Sequence, residues 1–510
     1  MSEPHLQPPA VAGEGPEQRS SQDATAPSFV GRTFGRWRQV LWEIAGSARL
    51  PFASGPESDL LDEQVTELRA QMHECLEARG GEVLARAQAA NIAGTYLALG
   101  PRGKARFFDL LATEFGIERS RLDEALAVYR TADAEPARLD AERALRRVLV
   151  TPAMRLLTKF NALPVGLRFL IGMRADLLRD ARGDFKLAAL DRDFQDVLAP
   201  WFDIGFLTRQ RLTWDSPAAL LEKIIEYEAV HEIRSWSDLR HRLDGDRRCY
   251  AFFHPSLPKE PLVFVQVALV EGLAIAIEPL LDEQRPALDP RQADSAIFYS
   301  ITNTLDGLRG ISFGNFLIKQ VVEDLAHDLP NLKQFATLSP IPGFMRWLAA
   351  QPETALMSAD ERAALRAALP EGTRLDEVLG AGMALGDGTL ARLLQGPLMR
   401  SAATYLVERD ERGLPLDPVA RFHLGNGARI EQLNWAADTS RLRLGQSAGM
   451  MINYLYHRPE IDANHEAFAS RRLITLSPQM ADLLKGAPAE SRQLTRVGRR
   501  GSGLGRMIRR

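Results

Sequence analysis

An all-α N-terminal half followed by a mixed α/β domain, α+β overall, is the fold class this sequence predicts, and three observations carry the prediction. From Phe34 to Pro200 apolar residues recur at helical spacing. After Trp201 the chain turns to runs of β-branched and aromatic residues, and near residue 300 one segment reads as strand, crossover helix, strand. A chain of 510 residues is also too long for a single core, so two domains are expected.

Residues 1–33 are rich in Pro, Ser, Gln, Gly and Glu without hydrophobic periodicity and are expected to form a disordered tail. Residues 34–200 follow as an all-helical domain expected to serve oligomerisation. Leu60, Val65, Leu68 and Met72, then Leu84, Ala87 and Ile92, mark helix faces, and Gly80, Gly81, Gly100 and Gly116 mark turns. About eight helices are expected there.

Residues 201–480 form the mixed domain. Tyr250–Phe253 and Leu262–Leu269 suit buried strands. Ile297–Thr302 reads as a strand, Phe316–Leu329 as the crossover helix and Gln334–Ser339 as the next strand. Residues 350–408 return to helical patterning, with Leu365, Leu369, Leu393, Leu394 and Leu398. Val419–Leu424 and Arg429–Trp435 flank Gly425-Asn426-Gly427-Ala428, and an Asn-Gly step between strand-like runs predicts a hairpin. Residues 481–510 read as a flexible basic tail.

Composition removes several functional classes. With 45% hydrophobic and 25% charged residues the chain is an ordinary globular one, and a net charge of -3 draws it neither to nucleic acid nor to an anionic membrane surface. The first 30 residues lack the apolar segment of a signal peptide, and no stretch reaches the length of a membrane span, so a cytoplasmic location is expected. The 2 cysteines, Cys75 and Cys249, have neither metal-ligand nor redox spacing, and Cys249 reads as an inert strand residue.

Chemistry gathers at three places. The loop Asn303–Asn315 carries Gly307, Gly310 and Gly314 between a strand and a helix, where backbone N–H groups and the helix dipole can hold a phosphate. Its spacing is neither G-x-G-x-x-G nor a P-loop, and an ordinary turn with an exposed Arg309 is the alternative. Ser339, before Pro340-Ile341-Pro342-Gly343, sits where a strand must stop, at the carboxyl end that faces the ligand crevice of open α/β sheets; a solvated turn serine is the bland alternative. His423, in Phe422-His423-Leu424, is a catalytic or a structural hydrogen bonder, and His254 in Phe253-His254-Pro255 is a possible pocket neighbour. No histidines have HExxH spacing, so no metal is expected, and the Gly-x-Ser-x-Gly elbow is missing.

Thr337-Leu338-Ser339-Pro340-Ile341-Pro342-Gly343-Phe344 resembles the signature of malonyl-CoA decarboxylases. Phe422–Ala428, Asn434–Asp438, Gly449–Tyr454 and Gly314 with Phe316–Lys319 resemble the family's other blocks in order, so the likeness spans roughly residues 60–470. It implies a GNAT-like (N-acetyltransferase-like) catalytic domain after the helices. It also implies a catalytic pair, Ser339 and His423, and a malonyl-CoA loop of Arg309, Gly310, Ile311, Ser312, Phe313, Gly314 and Asn315. Arg309 and Asn315 stand where relatives often have Gln and Thr. The chain ends in Ile508-Arg509-Arg510, not in the peroxisomal tripeptide of some eukaryotic relatives, which fits a cytoplasmic, bacterial-type member. The resemblance suggests a homodimer or homotetramer.

That chemistry needs no cofactor. Loss of carbon dioxide from a malonyl thioester leaves an enolate, and the thioester carbonyl is itself the electron sink. The expected roles are Ser339 orienting the malonyl group and His423 protonating the enolate, with Asn434, Asn453 and Tyr454 as candidates for orienting His423. An acyl-CoA-dependent acyltransferase and a non-catalytic CoA-sensing protein are the rival readings.

Overall fold

The structure, a computed structural model, describes residues 59–77, 81–180, 183–202, 204–311, 317–369 and 388–486. The expected N-terminal tail, residues 487–510 of the expected C-terminal tail, and Ser312–Asn315 of the expected substrate loop lie outside the described residues.

Eight helices are described before Trp201: α1 (Asp62–Glu77), α2 (Gly81–Ala98), α3 (Pro101–Glu114), α4 (Arg119–Thr131), α5 (Glu135–Leu149), α6 (Pro152–Asn161), α7 (Gly166–Asp180) and α8 (Phe185–Leu198). Local chemistry explains where they begin. Pro136 lies in the first turn of α5, where its missing N–H costs nothing, and the Asp184 carboxylate caps α8 by accepting from the N–H groups of Lys186 and Leu187.

The described residues divide into two compact units. One runs to Leu110 and includes Lys159–Val165; the other holds Leu111–Thr158 and everything from Gly166 on. The first is cored by Leu68, Met72, Ile92 and Tyr96, whose ring meets Phe107 edge-on at 5.0 Å. In the second, α7 and α8 cluster with the sheet, so the unit boundary differs from the change of secondary structure at Trp201.

The second unit contains β1 (Thr208–Leu212), α9 (Ala218–Tyr227), α10 (Trp236–His241), β2 (Arg247–Phe253), β3 (Pro261–Val270), α11 (Glu278–Leu281), β4 (Ser295–Asn303), α12 (Leu317–Asp328), β5 (Gln334–Thr337) and the short β6 (Ser339–Pro340). Among the described residues the sheet has 8 strands in the order β1-β2-β3-β4-β5-β8-β6, where β8 is Met451–Leu455, and β7 (Arg429–Asn434) pairs with β8. The runs expected to be buried strands are so: every residue of β2 and β3 is buried. Strands β1 to β4 are antiparallel, and β4–α12–β5 is the expected crossover, with β4 and β5 parallel from Ser295↔Gln334 to Phe298↔Thr337. A helical region followed by this mixed sheet agrees with the expected α+β class.

Pairing changes hands at the site. The Leu338 N–H still reaches the Phe298 carbonyl at 3.0 Å, but Ser339 pairs with Ile452 of β8. Beyond Phe298, β4 therefore runs on to Asn303 with no β5 partner.

Between β6 and β7 come α13 (Phe344–Ala349), α14 (Glu353–Leu356), α15 (Ala359–Ala368), α16 (Gly388–Val407) and α17 (Pro418–Gly425), the helical insertion expected from the sequence. The expected hairpin is corrected: Val419–Leu424 is not a strand but lies in α17. Asp417 caps this helix, its carboxylate accepting from the Ala420 N–H at 2.8 Å, and Pro418 occupies the first turn. Asp-Pro is thus a helix start here, and Asn426-Gly427 a helix stop, with Gly427 at φ +84° and its α-carbon facing the Ile461 carbonyl. Strand β7 pairs with β8 instead. After β8 the chain forms α19 (Ile461–Arg471) and α20 (Pro478–Lys485), with α18 (Arg441–Ser447) lying between β7 and β8.

Buried charge stitches the second unit together. Glu260, before β3, receives hydrogen bonds from Arg168 of α7 and from Lys223 and Tyr227 of α9, the latter two at 2.7 and 2.6 Å. Burial alone would raise its carboxyl, but these three partners hold it below its ordinary value.

Candidate active site

The structure brings Ser339 and His423 together, with Ser339 Oγ 3.2 Å from His423 Nε2. Ser339 stands where β5 gives way to β6, and His423 projects from α17. Both are buried, and burial pushes the His423 imidazole down to about 3, so the ring is neutral.

The neighbouring groups determine which nitrogen carries the proton. Ser339 Oγ donates to Thr337 Oγ1 at 2.9 Å, so it accepts from Nε2–H; Tyr456 OH, 2.7 Å from Nδ1, then donates to the bare nitrogen. The result is a chain, Tyr456 O–H to imidazole to Ser339 to Thr337, in which each donor has an acceptor. The Tyr454 ring stacks on His423 with centroids 4.6 Å apart and an interplanar angle of 23°.

Of the three expected helpers, one contacts the imidazole and two do not. Tyr454 touches the imidazole by stacking, whereas Asn434 and Asn453 bond one another at 2.7 Å, and Asn453 donates to the Thr337 carbonyl at 2.7 Å. These amides anchor β8 to the residue preceding Leu338 and Ser339, so they steady the serine rather than the histidine. The hydrogen-bond partner at His423 Nδ1 is Tyr456, which sequence reasoning missed. A period of 2 along the strand end places Tyr456 on the face of Tyr454, and that alternation was the available signal.

His254 is directed elsewhere: its Nδ1 accepts from the Ser256 N–H at 3.1 Å, and its ring lies 5.6 Å from that of Phe202. Of the expected substrate loop, Arg309 is 70% exposed and pairs with Asp306 at 2.9 Å, Gly310 adopts φ +80°, and Ile311 is buried. The loop leaves the carboxyl end of β4 and Ser339 follows the carboxyl end of the parallel β5, so both lie at the same end of these two strands. Cys249 is buried with its thiol pushed up to about 12, as suits an inert strand residue. Among the described residues, no three His, Cys, Asp or Glu side chains are grouped as metal ligands.

A neutral imidazole backed by a tyrosine, with its other nitrogen on a serine where β5 gives way to β6, can hold an acyl oxygen and pass a proton. Comparison with known proteins identifies the family. Residues 205–494 match the family model "Malonyl-CoA decarboxylase C-terminal domain" and residues 115–202 the corresponding N-terminal domain. The mitochondrial malonyl-CoA decarboxylase of Mus musculus is 36% identical over 401 residues, 75% of this chain and 82% of that protein. Crystal structures of malonyl-CoA decarboxylases from Rhodopseudomonas palustris and Agrobacterium vitis superpose with TM-scores of 0.74 and 0.72 at 41% and 42% identity, each covering 82% of this chain and 99% of theirs. The chain therefore belongs to the malonyl-CoA decarboxylase family of carboxy-lyases.

Proposed function

We propose that this protein converts malonyl-CoA to acetyl-CoA and carbon dioxide, with Ser339 orienting the malonyl group and His423 delivering the proton to the enolate. The observation that carries this reading is the 3.2 Å contact between Ser339 Oγ and His423 Nε2 in a buried site.

The reaction breaks the bond from C2 to the carboxylate, leaves the electron pair on an enolate and consumes one proton at C2. Nε2–H is the nearest imidazole proton to the serine, and Tyr456, hydrogen-bonded at Nδ1, holds the ring as Nε2 gives its proton to C2; the ring then regains a proton from solvent. A malonyl carboxylate entering beside the ring favours the protonated imidazole and so opposes the depression caused by burial. Removal from water strengthens each hydrogen bond to the developing oxyanion, and a single such donor is commonly worth about 2.7 to 4 kcal/mol. Gly310, Arg309 and the residues after them are assigned to the CoA phosphates, on the exposure of Arg309 and the φ of +80° at Gly310.

The purified protein incubated with malonyl-CoA and no acyl acceptor should release acetyl-CoA and carbon dioxide. Turnover that begins only when an acceptor is added would favour acyl transfer, and binding without turnover would favour a sensor.

A further inference from the structure

Arg174 of α7 is 1% exposed, an unusual position for a guanidinium. Its Nε donates to Asp191 Oδ1 of α8 at 2.7 Å, and its Nη1 donates to the carbonyl of Gly307 at 2.7 Å. Gly307 lies against the same helix so closely that a β-carbon there would land on the Ile171 carbonyl oxygen. Leu308 and Ile311, on either side of Arg309 and Gly310, are buried. A buried ion pair of this kind is weak evidence for stability, since apolar replacements often serve as well, so its use here asks for a reason.

We infer that Arg174 is a positioning residue for the malonyl-CoA loop, acting from the helical side of the chain through the Gly307 carbonyl. The inference rests on the reading that Arg309 and Gly310 meet the CoA phosphates. A carbonyl oxygen turned toward a phosphate repels it, and Arg174 holds this one toward α7 while Asp191 keeps the planar guanidinium aimed. Asp191 is held in turn by Gln195 Nε2 at 2.6 Å. Helices α7 and α8 are then part of the substrate site, which accords with their clustering with the sheet.

The test uses the full chain and steady-state kinetics on malonyl-CoA. Arg174→Lys keeps the charge but loses the fork that spans Asp191 and Gly307, and Asp191→Asn keeps the shape but loses the ion pair. Each should raise KM at least about fivefold and leave kcat within about twofold, the pattern of lost substrate binding. Either variant, folded and with wild-type KM, overturns the inference, as does a fall in kcat or Tm alone. Arg309→Ala separates the two layers. If it raises KM while the Arg174 and Asp191 variants do not, only the positioning role fails; if none of the three changes KM, the assignment of the loop to CoA fails as well.

Discussion

The Ser339 hydroxyl and the His423 imidazole come from segments 84 positions apart and finish 3.2 Å from one another, one at the end of a strand and the other on a short capped helix. Replacing either by alanine should lower kcat by at least about 10²-fold, the usual worth of a positioned acid or oxyanion donor. Circular dichroism should show the fold intact. Full turnover by either folded variant would take that residue out of the mechanism.

Tyr456→Phe deletes the hydroxyl that faces Nδ1 and keeps the ring. The buried nitrogen then loses its donor, which leaves the tautomer with Nε2–H no longer favoured, and kcat should fall about tenfold or more. Nitrogen NMR of the His423 ring should report a changed tautomer. An unaltered kcat and spectrum would mean that the 2.7 Å contact has no part in orienting the ring.

Two buried groups make opposite contributions to the pH dependence of stability. His423 is lowered to about 3 by burial, so the unfolded chain binds the proton first, and stability from this group is present above its ordinary range and lost as pH falls toward about 3. Asp417 is raised to about 6 by burial, so its contribution is present at low pH and lost as pH rises through about 6. Asp417→Asn retains a capping side chain but cannot ionise. Its Tm relative to wild type should therefore improve between pH 4.5 and pH 7.5, and a constant difference across that window would contradict the assignment.

The free enzyme's profile follows from the same burial. With the imidazole neutral, kcat/KM should show no acid limb belonging to His423 between about pH 5 and 8, because that ratio reports the unliganded protein. Rates measured at low malonyl-CoA across this range would reveal a limb near pH 6.5 if the ring were instead exposed to water.

Gly343 faces the Tyr405 ring so closely that an added β-carbon would lie 2.1 Å from the Tyr405 hydroxyl oxygen. Gly343→Ala should cost about 1 to 3 kcal/mol, the usual range for overpacking. Adding Tyr405→Phe should recover part of the loss in a denaturant titration, since the worst contact is with the hydroxyl. A double variant no more stable than the single one would place the cost elsewhere.

The sequence was informative wherever the signal is local. Helical spacing before Trp201, continuous apolar runs in β2 and β3, and strand, helix, strand around residue 300 each need only neighbouring residues, and each element appears as expected. Local reasoning failed at residues 419–424, where a capped two-turn helix and a strand share the same apolar run. Asp417-Pro418 decides between them by offering a cap and a proline that fits only a first turn.

The sequence by itself determined the fold class, the family and the two residues proposed to do the chemistry, because propensity and motif are written in consecutive positions. Tertiary structure alone decided that Tyr456 meets His423 across 33 residues, that two asparagines brace Thr337, and that Arg174 reaches Gly307 over 133 residues. Such partners are selected by which strands pair and which helices pack against them. A donor and an acceptor far apart in the chain carry no mark of one another until burial denies both of them water.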